Sequence, residues 1–234
     1  MTTVVLVRHG RTAANSSGIL AGWSPGVFLD GDGEEQVQRV GVALARAPLT
    51  AVVTSPLDRT QQTAEAIISA QRDAGHAPAF HVDPRVGECR YGDWTGKLLS
   101  DLSTDPLWAA VQAHPSSVTF PGNDGEAMQA MQHRATSAIR DWNSTLGDSA
   151  VYAVVSHGDV IKAVIADALG MHLDNFQRIH VDPASVSIIH YTPMRPFVVR
   201  TNASADGLDS LMQRLAERQQ DASSDAVVGG GAGS

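Results

Sequence analysis

Two apolar runs in this chain end in histidine. Val4-Val5-Leu6-Val7 leads into Arg8-His9-Gly10, and Val151-Tyr152-Ala153-Val154-Val155 leads into Ser156-His157-Gly158-Asp159. Short, uninterrupted apolar runs suit strands buried on both faces, as in a parallel sheet covered by helices. Open α/β sheets place their ligand crevice beyond the carboxyl ends of the strands, so both imidazoles can face one pocket although they are distant in the chain. Glycine follows each histidine and lets a backbone N–H approach an anion closely. Either tripeptide alone reads as an ordinary helix start. The pair in matching contexts implies a shared site.

Further strand-like runs at 51–54, 79–82 and 186–191 join those at 3–7 and 151–156 and alternate with helix-like segments. That alternation predicts an α/β fold, a three-layer α/β/α sandwich with a mainly parallel central sheet. A first helix is expected from about Gly33, with Asp32 and Glu35 as a capping box and Val37, Val40 and Leu44 on its inner face. The glycines of Asp30-Gly31-Asp32-Gly33 fall at the wrong places for an EF-hand loop, which leaves a turn and cap. Ser55 is expected to cap a second helix with Pro56 at its first position, setting Arg59 in the first turn. Residues 93–125, mixing Trp94, Trp108 and Phe120 with polar residues, form an inserted segment expected to act as a lid. The catalytic domain is expected over 1–201, and 202–234 as a mostly disordered tail with one helical stretch around Leu208 to Arg218.

The 234 residues carry a net charge of −8, which offers no basic field for a nucleic-acid backbone. No apolar stretch approaches the roughly 20 residues that span a bilayer. The single cysteine, Cys89, forms no intrachain disulfide, and the opening residues lack the basic and apolar regions of a secretory signal. A cytoplasmic protein is expected, without nucleic-acid or membrane partners; the oligomeric state is not legible.

Four motifs carry a resemblance. Arg8-His9-Gly10-Arg11-Thr12-Ala13-Ala14-Asn15, Ser55-Pro56-Leu57-Asp58-Arg59-Thr60-Gln61-Gln62-Thr63-Ala64, Glu88-Cys89-Arg90-Tyr91-Gly92-Asp93-Trp94-Thr95-Gly96 and Ser156-His157-Gly158 occur in this order. They resemble the signatures of the histidine phosphatase superfamily, the phosphoglycerate mutase-like proteins, from about Val4 to Tyr191. The resemblance implies that His9 becomes phosphohistidine and that Glu88 protonates the leaving oxygen, then activates water. Asp93 and Glu126 are the next candidates for the proton donor. The chain departs from the family pattern at Ala21, at Thr95 and in the stretch Pro121–Ala127.

Phosphoryl transfer asks a protein mainly for positioning and for neutralising the phosphoryl oxygens. Arg8 and Arg59 offer planar forks for bidentate contact with phosphate. His9 needs a free lone pair on one ring nitrogen while the other donates to a backbone carbonyl. His157 is expected to be protonated beside a bound dianion. The backbone N–H groups of Gly22 and Gly158, and Asn15 as a neutral donor, are further phosphate-binding candidates; for Asn15 and Gly22 a plain turn is the competing reading. Two arginines and a cationic His157 leave no need for a metal, and the remaining histidines show no metal-ligand spacing. No cofactor is expected.

A metal-independent phosphomonoesterase acting on a small phosphorylated metabolite is the reading. The alternatives are a phosphoglycerate mutase-type phosphomutase and a non-catalytic phosphate-ligand binding module. Cys89 and Leu99 stand where the mutase motif carries an arginine and a lysine, although Arg90 and Lys97 can offset that charge.

Overall fold

The computed structural model describes residues 1–205, and in it both histidine-terminated runs are central strands of one sheet. In chain order the elements are β1 (Thr2–Arg8), α1 (Ala13–Ser16), α2 (Gly31–Leu44), β2 (Ala51–Thr54), α3 (Asp58–Asp73), β3 (Ala79–Val82), α4 (Leu99–Leu102), α5 (Pro106–Ala113), α6 (Met128–Leu146), β4 (Val151–Ser156), α7 (Gly158–Ala168), β5 (Val186–Tyr191) and β6 (Pro196–Ala203). The strand order is β3-β2-β4-β1-β5-β6. The β2–β3, β2–β4 and β4–β1 pairs are parallel, whereas β5 is antiparallel to β1 and β6 to β5.

The central strands read as unbroken apolar runs because both faces of the sheet are covered. Val4 and Leu6 of β1 join Tyr152 and Val154 of β4 in one core, under α6 and α7. Val5 and Val7, with Ala153 and Val155, face the opposite core under α2 and α3. The three layers expected from the sequence follow from this period-two division. On α2 the inward stripe is Val37, Val40 and Leu44, as its spacing predicts.

Two helix starts differ from expectation. The cap of α2 is Asp30, whose carboxylate accepts from the Gly33 N–H at 2.8 Å. Asp32 lies inside the helix and pairs with Arg11, which also holds Asp30. The first helical turn after β1 is the short α1, capped by Thr12. At α3 the N-cap is Leu57, without a side-chain bond, and the helix begins at Asp58. The Ser55 hydroxyl lies 2.8 Å from His157 Nε2 and only 3.4 Å from the Leu57 N–H, so it belongs mainly to the site.

The sheet also has a strand that the alternation missed. β6 starts at a proline, lies at the sheet edge and has mostly half-exposed side chains, so it shows no buried run. It extends through Ala203, past the domain boundary expected at 201. The remaining expectations for the tail, including the helical stretch around Leu208 to Arg218, fall outside the described residues. Among the described residues no helix is long and apolar enough to cross a membrane.

Candidate active site

Register brings the two histidines together. Arg8 of β1 pairs with Ser156 of β4, so the next residue of each strand emerges at the same edge of the sheet. The His9 N–H donates to the Ser156 carbonyl at 3.0 Å, and the two imidazole centroids lie 5.3 Å apart. Gly10 makes this bend possible, because a Cβ there would lie 2.7 Å from both the Gly33 carbonyl oxygen and a Val37 methyl. Gly10→Ala is expected to cost about 1–3 kcal/mol through overpacking, readable as a lowered thermal midpoint.

Hydrogen bonding fixes both ring tautomers. His9 Nδ1 lies 2.8 Å from the Gly10 carbonyl and must donate, which leaves the lone pair on Nε2. Arg59 Nε donates to that Nε2 at 3.3 Å. Arg59 Nη2 lies 3.2 Å from His157 Nδ1, so this nitrogen accepts and His157 Nε2–H donates to Ser55 Oγ. Burial, followed by the charges of Arg59 and Arg8, holds His9 well below its ordinary pKa. Burial and Arg59 do the same for His157. Both rings are therefore neutral in the free protein, and the cationic His157 expected from the sequence requires the field of a bound dianion.

Arg59 sits in the first turn of α3, as expected, and only 2% of it is exposed. Its Nη2 also donates to the Gly22 carbonyl at 2.8 Å. Gly22 thus positions Arg59 through its carbonyl, from a left-handed backbone (φ +52°) in which an added Cβ would also meet Thr95. Arg8 is anchored through Nη1 to the Val181 carbonyl at 2.7 Å. After these bonds, Arg59 Nη1 and Arg8 Nε are buried donors without a protein acceptor. Two such guanidinium groups line one pocket with His9, and their free N–H groups suit an anionic oxygen, since unpaired buried donors are costly in a finished structure.

The other candidates take different places. Asn15 lines the pocket, and its Oδ1 accepts from the Thr12 N–H and hydroxyl in a capping box. The turn reading and the pocket placement therefore both hold. Gly158 opens α7 against Arg8, so its N–H belongs to the free first turn of a helix whose end faces the pocket.

Glu88 is buried, and its Oε1 accepts from the Cys89 N–H at 3.0 Å. Its Oε2 lies 3.8 Å from His157 Nδ1. Burial and then Asp159 push its pKa up to about 7, against the pull of Arg59. Its main chain is clamped: the Glu88 carbonyl accepts from Trp23 Nε1 at 2.6 Å and from Arg134 Nη2 at 2.9 Å. Arg134 also binds Glu126 in a bidentate ion pair. Glu126 is thereby a structural anchor, while Asp93 is exposed, and neither lines the pocket. Asp159, by contrast, does line it and accepts from the Tyr91 hydroxyl at 2.9 Å.

Ser55, Tyr91, Asp159, Lys162 and Arg134 were not singled out from the sequence as site residues. For Asp159 and Lys162 a signal existed, since they lie three apart on the first turn after the second histidine and share a helix face. Arg134 gave none, because its role depends on α6 crossing behind the Glu88 loop.

The inserted segment supplies Trp94, Leu99, Trp108, Val111 and Phe120 to the pocket wall. Among the described residues, no group of three or more His, Cys, Asp or Glu is placed to hold a metal ion.

This chain belongs to the histidine phosphatase superfamily, branch 1, whose family model matches residues 4–204. The enzyme class is that of a phosphoric monoester hydrolase. Phosphoserine phosphatase 1 of Hydrogenobacter thermophilus is 28% identical over 86% of this chain and 92% of its own length. The probable phosphoglycerate mutase GpmB of Erwinia tasmaniensis is 29% identical over 82% of this chain and 86% of its own. The crystal structure of the alpha-ribazole phosphatase from Shigella flexneri superimposes with a TM-score of 0.73 at 26% identity, over 86% of this chain and 96% of that one.

Proposed function

We propose that the protein is a metal-independent phosphomonoesterase that hydrolyses a small phosphorylated metabolite through a phosphohistidine at His9. The observation that carries this is one pocket lined by His9, Arg8 and Arg59, in which Arg8 Nε and Arg59 Nη1 are buried donors without a protein acceptor. Those donors orient the phosphoryl group, and the Gly158 N–H, the Asn15 amide and His157 add neutralising contacts. In the first half-reaction His9 Nε2 attacks phosphorus, the P–O ester bond breaks, and the Glu88 carboxyl gives its proton to the departing oxygen. In the second, Glu88 as carboxylate takes a proton from water, whose oxygen attacks phosphorus. The P–N bond breaks, inorganic phosphate leaves, and His9 is neutral again.

The positive charge that a metal clamp supplies elsewhere comes here from the arginines, with His157 charged once the dianion is bound. Phosphate release by protein treated exhaustively with a chelator is expected to match that of untreated protein. A complete loss that magnesium restores would contradict the reading.

The phosphatase reading is favoured over the mutase by where the basic side chains lie. Cys89 is wholly buried, 3.9 Å from the Met128 sulfur, so a charged group at that position would point into the core. Arg90 stacks over the Trp23 ring at 4.1 Å, Lys97 is exposed, and neither lines the pocket. Neither replaces the missing mutase charge. A purely phosphate-binding module is disfavoured because the nucleophile, both arginines and the acid are all present and brought together. We read the cytoplasm as the protein's setting, from its lone, buried cysteine.

A further inference from the structure

Beyond its phosphate-binding floor the pocket, a cavity of about 320 Å³, changes character. Its wall is built from Leu20, Leu99, Trp94, Trp108, Val111 and Phe120. Trp94 stacks on Trp108 with centroids 6.1 Å apart and meets Phe120 at 5.4 Å, so the half-buried Trp108 is backed by buried aromatic rings. Apart from Arg8 and Arg59, Lys162 is the single cation among the described residues that line it. That charge is already matched, because Lys162 Nζ lies 3.7 Å from Asp159 and donates to Gln177 Oε1 at 3.1 Å. A carboxylate or second phosphate on the alcohol part of a substrate would meet Asp159 as readily as Lys162. It would also lose hydration against the aromatic wall without gaining a free cation.

We propose that the alcohol released by this enzyme is uncharged and largely apolar, an aromatic or branched aliphatic alcohol seated against Trp94 and Trp108. Any polar substituent lies toward the Gln112 and Gln177 amides. The proposal rests on the phosphatase reading above and names the substrate class for that site. It excludes small doubly anionic esters as good substrates, since their second charge has nothing to pair with. Trp108 and Trp94 are then specificity residues, acting on the alcohol and not on the phosphoryl group.

The test is steady-state kinetics of the full chain with four esters of primary alcohols: benzyl phosphate, ethyl phosphate, 2-phosphoglycolate and 3-phosphoglycerate. Burying one phenyl group is commonly worth about 10²-fold, so kcat/KM for benzyl phosphate should exceed the values for the two anionic esters by roughly that factor. Trp108→Ala should lower kcat/KM for benzyl phosphate about 10-fold more than for ethyl phosphate. Equal or better turnover of 2-phosphoglycolate or 3-phosphoglycerate by the wild-type protein would overturn the proposal while leaving the phosphatase reading intact. Hydrolysis of none of the four by folded protein would overturn that reading, and the proposal with it. The wild-type comparison decides even where the variant fails to fold.

Discussion

His9→Ala is expected to lower kcat/KM by about 10⁴-fold or more, because it removes the proposed nucleophile. The loss should lie in kcat. The variant keeps the Arg8 and Arg59 donors and the α7 terminus, so inorganic phosphate should still bind it and inhibit competitively. In the wild-type protein, rapid quench during turnover followed by mass spectrometry should find phosphate on His9, in a linkage labile to acid and comparatively stable to base. An active His9→Ala protein, or phosphate found on another residue, would sink the mechanism.

Glu88→Gln should separate substrates by leaving group. Alkyl esters need a proton on the departing oxygen and should slow by about 10²- to 10⁴-fold, whereas aryl esters, whose phenolate leaves unaided, should slow far less. Single-turnover measurement is needed so that slow hydrolysis of phosphohistidine does not mask the first step. The pH profile makes the same claim independently. Glu88 must enter the first step protonated, and burial with Asp159 places its pKa at about 7 in the free protein. For alkyl esters kcat/KM should therefore fall as pH rises through that value. Bound phosphate favours the neutral carboxyl further, so the corresponding fall in kcat should lie at higher pH. His9 imposes no matching loss near neutrality on the acid side, since burial and two arginines keep it unprotonated well below its ordinary range. Glu88→Gln should abolish the alkaline fall. A uniform loss across both ester classes would point instead to Asp159.

How much of this was legible in the chain depended on whether the information was local. β1 and β4 announce themselves because a strand covered on both faces needs no polar positions. Arg59 is placed by its distance from the end of β2, and Glu88 by its motif. β6 was missed because an edge strand with half-exposed side chains carries no such run. The caps failed for a different reason. Ser55 and Asp32 both have the right chemistry for capping, but each oxygen has a stronger tertiary competitor, His157 for one and Arg11 for the other. Likewise the tautomers of His9 and His157 are set by the Gly10 carbonyl and by Arg59, and nothing in the sequence states which nitrogen faces which partner.

The pairing of β1 with β4 has a consequence for the life of the molecule before it works. Residues 9 and 157 become neighbours only when the first strand of the chain closes against one that emerges after most of the domain has been made. Contacts so remote in sequence form late, because the loop-closure entropy precedes their reward. A nascent chain ending before His157 holds His9 and Arg59 but lacks the second imidazole and the α7 terminus. Such a chain is expected to release no phosphate, and on refolding from denaturant, recovery of activity should track closure of the whole sheet and lag behind formation of the α2–α3 pair.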